Sequence, residues 1–226
     1  MSTSPMLVLD GLSVDIGGMT VLYGASLEIP PRAMVGLHGR NGAGKTTLLR
    51  SIMGLIAKRS GRIVFEGMDL SRVHPHQRNR LGIGYMPEDR RLAPDFSAED
   101  NILVPAWAGQ SEDSRERLEH IYGLMSEVRP VRHTKAAQLS GGQQKLVALA
   151  RALMAGRKLL LLDEPFEGLA PALARRLAEV IGSLKATGLS ILLADSNSQH
   201  ATDLLDVVYT IERGEVRPGE PERRDP

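Results

Sequence analysis

The stretch GRNGAGKTT, Gly39 to Thr47, carries three glycines, one lysine and two threonines in nine positions. Gly39, Gly42 and Gly44 allow the backbone of Arg40, Asn41, Ala43 and their neighbours to curl until consecutive N–H groups converge on phosphate oxygens. Lys45 adds a point charge for terminal phosphates, and the Thr46 hydroxyl is suited to Mg²⁺. A helix starting here at Lys45–Thr47 would add the positive end of its dipole. The plainer alternative is a glycine-rich turn that caps a helix. The flanks favour phosphate, with the apolar run AMVGLHG before the loop and the amphipathic KTTLLRSIMG after it.

A second chemical pair is Asp163-Glu164 at the end of LLLLDEP. At the carboxyl end of a buried strand, Asp163 would hold Mg²⁺ directly or through water, and Glu164 would orient or deprotonate an attacking water. The same letters also describe an ordinary strand exit through proline. A third stretch, LSGGQQK from Leu139 to Lys145, opens a helix with Ser140, Gly141, Gly142 and Gln143. Ser140 and Gln143 form a capping box. That box leaves the paired glycines unexplained, since each costs a helical turn up to ~1 kcal/mol relative to alanine. Bare amides beside a hydroxyl suit an anion that must approach the backbone closely.

These pieces need elements to position them. LVLDGLSVDI and TVLYGASLEI read as glycine-punctuated strands, GRIVFEGMDL as further strand, and IGYM, LLLLD and SILLAD as buried strands. Helical spacing places Leu48, Leu49, Ile52 and Met53 on one face, and Leu146, Leu149, Ala150 and Leu153 on another. Leu118, Ile121, Tyr122 and Met125 give a third face inside a mostly helical insertion at about 97–135. The helix over APALARRLAEVIGSLKATG is expected to stop at Gly188, and the strands VVYTIE and EVRP to meet at Arg213-Gly214. The fold class is α/β: a mainly parallel core sheet with an antiparallel N-terminal β subdomain and the helical insertion. One domain is expected over 1–217, its core from 1–96 and 136–217, followed by a frayed tail at 218–226.

Composition narrows the function classes. Among 226 residues, 28 Lys and Arg nearly cancel 27 Asp and Glu, which gives no support to a nucleic-acid partner. Cysteine is absent, which excludes disulfides, zinc–thiolate sites and a thiol nucleophile. The N-terminus lacks the basic-then-apolar layout of a secretory signal, and runs such as LLLL are too short to span a bilayer.

GRNGAGKT, LSGGQQK and LLLLDEP, in that order and spacing, resemble the Walker A, signature and Walker B motifs of ABC-transporter ATP-binding subunits, and the resemblance covers nearly the whole chain. It implies the P-loop NTPase ABC ATPase fold, ATP and Mg²⁺ as cofactors, and ATP hydrolysis. It also implies a head-to-tail pair of cassettes, each nucleotide held by one chain's lysine loop and covered by the other chain's serine and glycines. The partners would be a second ATPase subunit (a different chain, with a second copy of this one as the alternative), transmembrane permeases and, through them, a solute-binding protein. The place would be the cytoplasmic face of the plasma membrane, held peripherally.

Three segments narrow the resemblance. Glu88 in MPEDRR stands where most members carry a glutamine and is placed among the Mg²⁺ or water ligands; Ala170 in GLAP replaces a loop aspartate; Ser196 in ADSNS replaces a γ-phosphate-contacting histidine. Together they resemble the ATPases of branched-chain amino-acid importers, with urea and amide importers as near alternatives. A soluble ABC ATPase and a weakly catalytic regulatory partner are the other classes. Ile16 stands where an aromatic ring stacks on adenine, and His200 is a possible stand-in for the missing histidine, against an ordinary solvated imidazole. Trp107 is placed by the resemblance against a permease helix; the alternative is a core or half-exposed ring in the insertion.

Overall fold

The computed structural model describes residues 4–197 and 202–219. Two sheets organise them. Strands β1 (Leu7–Ile16), β2 (Met19–Ile29), β4 (Ser60–Phe65) and β5 (Met68–Asp69) form an antiparallel sheet in the order β2-β1-β4-β5. The stretch expected as one run, GRIVFEGMDL, is a hairpin because Glu66 and Gly67 take φ of +47° and +80°. The second sheet has the order β10-β9-β3-β8-β7-β6. It comprises β3 (Met34–His38), β6 (Ile83–Met86), β7 (Leu159–Asp163), β8 (Ser190–Asp195), β9 (Val207–Glu212) and β10 (Glu215–Gly219). All its pairings are parallel except β9–β10.

That last hairpin corrects the boundary of the expected tail. Pro218 and Gly219 pair with Tyr209 and Val208 instead of fraying. Proline is tolerated because β10 is an edge strand, whose outer side needs no N–H donor.

The parallel sheet is buried on both faces, which explains its unbroken apolar runs. Along β7, Leu160 and Leu162 join one core while Leu159 and Leu161 join the other. One core holds the helices α3 (Ala98–Gly109), α4 (Ser114–Leu124), α5 (Gly141–Ala155) and α6 (Pro171–Ala186). The other holds the antiparallel sheet and α1 (Lys45–Ile52), whose Leu48, Leu49 and Ile52 are fully buried. A backbone bridge between Ser97 and Lys135 closes the neck of the helical insertion. Gly188, at φ +84°, follows the end of α6.

Two arginines, Arg78 buried and Arg117 partly buried, brace the helices that carry the glycine motifs. Arg78, on the short helix α2 (Pro75–Arg78), donates to the carbonyls of Ser51 and Ile52 at the end of α1, and to Leu70 and Val73. Arg117 on α4 does the same for α5, donating to Leu153, Met154 and Gly156. Both guanidiniums neutralise the negative ends of helices whose opposite ends face the motifs.

Candidate nucleotide site

The carboxyl edge of the parallel sheet gathers the motifs, as open α/β sheets require of a ligand site. Register puts His38 beside Asp195 and Asp163 beside Ala194. The loops that follow β3, β6, β7 and β8 therefore bring Gly39–Gly44, Glu88, Glu164 and Ser196 to one side.

The glycine loop is shaped by contacts and by backbone conformation. A side chain at Gly39 would meet the carbonyl oxygen of Ile211 at 2.4 Å, so only glycine fits. Gly44 caps α1 at φ 113° with no side-chain bond to the free amides, which leaves them for an anion. The loop divides two adjoining cavities. One, of about 260 Å³, is lined by Asn41, Gly42, Gly44, Lys45, Thr46 and Thr47 together with Val21, Glu88 and Glu164. The other, of about 540 Å³, is lined by Gly39, Arg40, Asn41, Gly42 and Ala43 against Thr210 to Arg213. Val21 was not anticipated from the sequence; it sits next to buried Leu22 on β2, so strand alternation turns it to the cleft. Ile16 lies at the end of β1 opposite Met19, is 43% exposed, and lines neither cavity.

Lys45 is buried and turned onto the loop itself. Its ammonium donates to Gly39 O (2.5 Å) and Arg40 O (3.1 Å) and pairs with Glu164 Oε1 at 3.0 Å. Thr46 Oγ1 donates to Asp163 Oδ1 at 3.1 Å and the Tyr85 hydroxyl to Oδ2 at 3.2 Å. Burial pushes the Asp163 carboxyl up to about 6 against these two hydrogen bonds. Burial, with Asp163 alongside, raises Tyr85 further above its usual range, so it remains a donor. A hydroxyl beside one carboxylate fits Mg²⁺, which takes few protein ligands and completes its shell with phosphate oxygens and water. Among the described residues no group of three or more His, Cys, Asp or Glu forms a metal cage. Glu88 stands in the cleft wall, its carboxyl pushed up by burial and then by Glu167 and Glu164.

Glu164 is buried with φ +46°, a conformation rare for a residue with a side chain. Its Oε2 accepts from both the backbone N–H and the hydroxyl of Ser196, each at 3.1 Å. Asp195 is its other neighbour. Burial, and then Glu164, push the Asp195 carboxyl up to about 7. Burial opposes ionisation of Glu164 too, but hydrogen bonds from Asp195 and Ser196 and the Lys45 charge outweigh it and hold Glu164 below the usual carboxylate range. Of the two neighbouring carboxyls, Asp195 is the one pushed toward its neutral form and Glu164 the one held ionised, able to accept a proton. Because the folded pKa of Asp195 exceeds its unfolded value, its contribution to stability is present below about pH 4 and lost as pH rises through about 7. Asp195→Asn is expected to flatten the stability profile between those limits, which thermal melts at intervals of pH would show.

The signature segment lies apart from this cleft. Ser140 caps α5 by accepting from the Gln143 N–H, and Gln143 Oε1 accepts from the Ser140 N–H. Ser140 and Gly141 are exposed, and none of Ser140, Gly141, Gly142 and Gln143 lines either cavity beside Lys45. At Gly142 an added Cβ would stand 2.5 Å from the terminal methyl of Leu173 on α6. Gly141 has no such neighbour, its closest being the Arg90 guanidinium at 3.6 Å. Arg90 donates to Gln144, and Arg151 on α5 donates to the carbonyls of Arg90 and Arg91, tying the Glu88 loop to the signature helix. His200 lies outside the described residues. Trp107 is 53% exposed on α3, which rules out a core position.

Comparison with known proteins agrees with this geometry. The family description "ABC transporter" matches residues 22–167. The high-affinity branched-chain amino acid transport ATP-binding protein BraG of Pseudomonas aeruginosa is 33% identical over 93% of this chain and 91% of its own. The lipopolysaccharide export system ATP-binding protein LptB of Haemophilus influenzae is 31% identical over 93% and 88%. A solved ATP-binding subunit of an ABC transporter superposes with a TM-score of 0.84 at 29% identity, covering 96% of this chain and 90% of that one. An ATP-binding cassette in its ADP conformation gives 0.82 at 26%, covering 97% and 93%. The chain belongs to the ABC transporter family, as one of its ATP-hydrolysing cassettes.

Proposed function

We propose that this chain is the ATP-hydrolysing subunit of an importer for branched-chain or related amino acids. The observation that carries its mechanism is the separation of two anion-suited helix ends, α1 in the cleft and α5 exposed outside it. One chain therefore supplies the cradle and another supplies the lid. ATP phosphates take the amides of Gly39–Thr46 and the Lys45 ammonium, which exchanges Glu164 for phosphate. Thr46 and Asp163 would hold Mg²⁺, which would supply charge neutralisation at the phosphates. Glu164, freed from Lys45 and oriented by Ser196, accepts a proton from water. Ser140 and Gly141 cover the nucleotide of a second cassette, so clamping requires ATP and hydrolysis releases it.

A different chain as second cassette suits the departures at Ile16 and Ser196. Import is supported by Glu88, GLAP and Ser196 and by relatives named for branched-chain amino-acid transport. The similarity to LptB supports a second reading, an exporter's cassette. Either role needs a membrane partner, since no helix among the described residues is long and apolar enough to cross a membrane. Val104 and Trp107, three residues apart on α3 and both exposed, offer such a partner an apolar face. Trp107→Ala is expected to reduce co-purification with the permease from membranes at least tenfold, ATP binding by the free chain being unchanged, because interface tryptophans commonly contribute about 2 kcal/mol or more. Full retention of the permease would contradict the assignment. Uptake assays in vesicles, with amino acids against exported lipid, separate the two readings.

A further inference from the structure

Lys145 is the last residue of LSGGQQK, one turn into α5, and it is buried. Its ammonium points away from the exposed helix end, into the loop after β7. There it donates to Glu164 O at 2.7 Å and to Glu167 O at 2.5 Å. These are the two ends of the turn Glu164–Glu167, which the backbone closes only with a long bond of 3.3 Å. Glu164 begins that turn at φ +46°, a strained conformation that persists only when its surroundings over-determine it. Two fixings of the Glu164 backbone come from outside the turn: its N–H donates to Ala194 O at 2.8 Å, and its carbonyl accepts from Lys145.

We propose that Lys145 is a positioning residue for hydrolysis, holding Glu164 in its left-handed conformation so that the carboxylate faces the Lys45 cleft. The inference rests on the assignment of Glu164 as the proton acceptor. A buried lysine here is expensive to desolvate, and its acceptors are backbone carbonyls that any sequence would provide. What distinguishes this turn is the strained glutamate at its start. Without the cross-brace the turn relaxes and the carboxylate moves by a fraction of its length. Displacements near 1 Å cost about a hundredfold in rate. Lys145 lines neither cavity at the glycine loop, so ATP affinity is untouched.

The test is a double-mutant cycle on the full chain, measuring single-turnover ATP hydrolysis and ATP affinity. Lys145→Met, close in volume and without donors, is expected to slow hydrolysis about ten- to a hundredfold with affinity changed less than twofold. Lys145→Gln, which keeps amide donors, should recover much of the rate. In a Glu164→Gln background Lys145→Met should slow hydrolysis no further. An equal slowing in that background, or a parallel loss of affinity and rate, would overturn the proposal. Normal hydrolysis by Lys145→Met beside a slow Glu164→Gln overturns this inference alone. Normal hydrolysis by Glu164→Gln overturns the proton-acceptor assignment and this one with it. If Lys145→Met does not fold, Lys145→Leu, which also lacks donors, carries the same cycle.

Discussion

Glu164→Gln is expected to lower the rate of ATP hydrolysis about 10²- to 10⁴-fold while leaving ATP affinity within a few-fold of the original. Glutamine keeps the shape and can still accept from the Ser196 N–H and hydroxyl, which bond the Glu164 carboxylate now. What it lacks is the ability to take a proton. It also removes the negative partner of Lys45, which frees the ammonium for phosphate and favours the ATP-bound state. The variant should therefore remain paired with its second cassette under ATP for far longer than the parent chain. Single-turnover hydrolysis with size-exclusion chromatography in ATP reads both consequences. Hydrolysis at the parental rate would remove Glu164 from the chemistry.

Lys45→Met works in the opposite direction. The lysine's charge-assisted bonds to phosphate are each worth about 1.5–3 kcal/mol, so ATP affinity should fall by roughly ten- to a hundredfold or more. The substitution also orphans a buried carboxylate, since both side chains of the Lys45–Glu164 pair are only 5% exposed. Removing one partner of such a pair costs about 3–5 kcal/mol. For a domain of this size that lowers the melting temperature by roughly 10 °C. Calorimetry on the free chain and a binding titration separate the two effects. A variant that melts and binds like the parent would show that Lys45 is neither paired nor a phosphate ligand.

Much of the site could be read from the chain because its motifs are local. GRNGAGKT needs only a strand before it and a helix after it, and both are signalled within ten residues. LLLLD reads as a buried strand because β7 is covered on both faces, so no polar alternation interrupts it. What stayed hidden depends on neighbours distant in sequence. Asp195 meets Glu164 through the pairing of β7 with β8, and nothing in SILLADS announces that burial beside the DEP glutamate will push its aspartate up. Tyr85 reaches Asp163 across the β6–β7 pairing. The paired glycines suit a ligand at the backbone, and nothing in LSGGQQK announces that Gly142 will also face Leu173, on a helix thirty residues later. Lys145 was visible as a letter in the signature stretch, but its inward direction follows from the packing of α5 against the loop after β7.

The chain contains no cysteine, so thiols can be placed in it without background. The most direct test of the two-chain site uses Ser140→Cys in this protein and a cysteine in the glycine loop of the cassette that co-purifies with it, a second copy included. ATP with Mg²⁺, in Glu164→Gln chains that cannot turn it over, should yield a disulfide between two polypeptides, lost when ATP is withheld. A disulfide formed instead between Ser140→Cys and Asn41→Cys of one chain would contradict the account, as would a Ser140→Cys thiol that stays free while both cassettes are saturated with ATP.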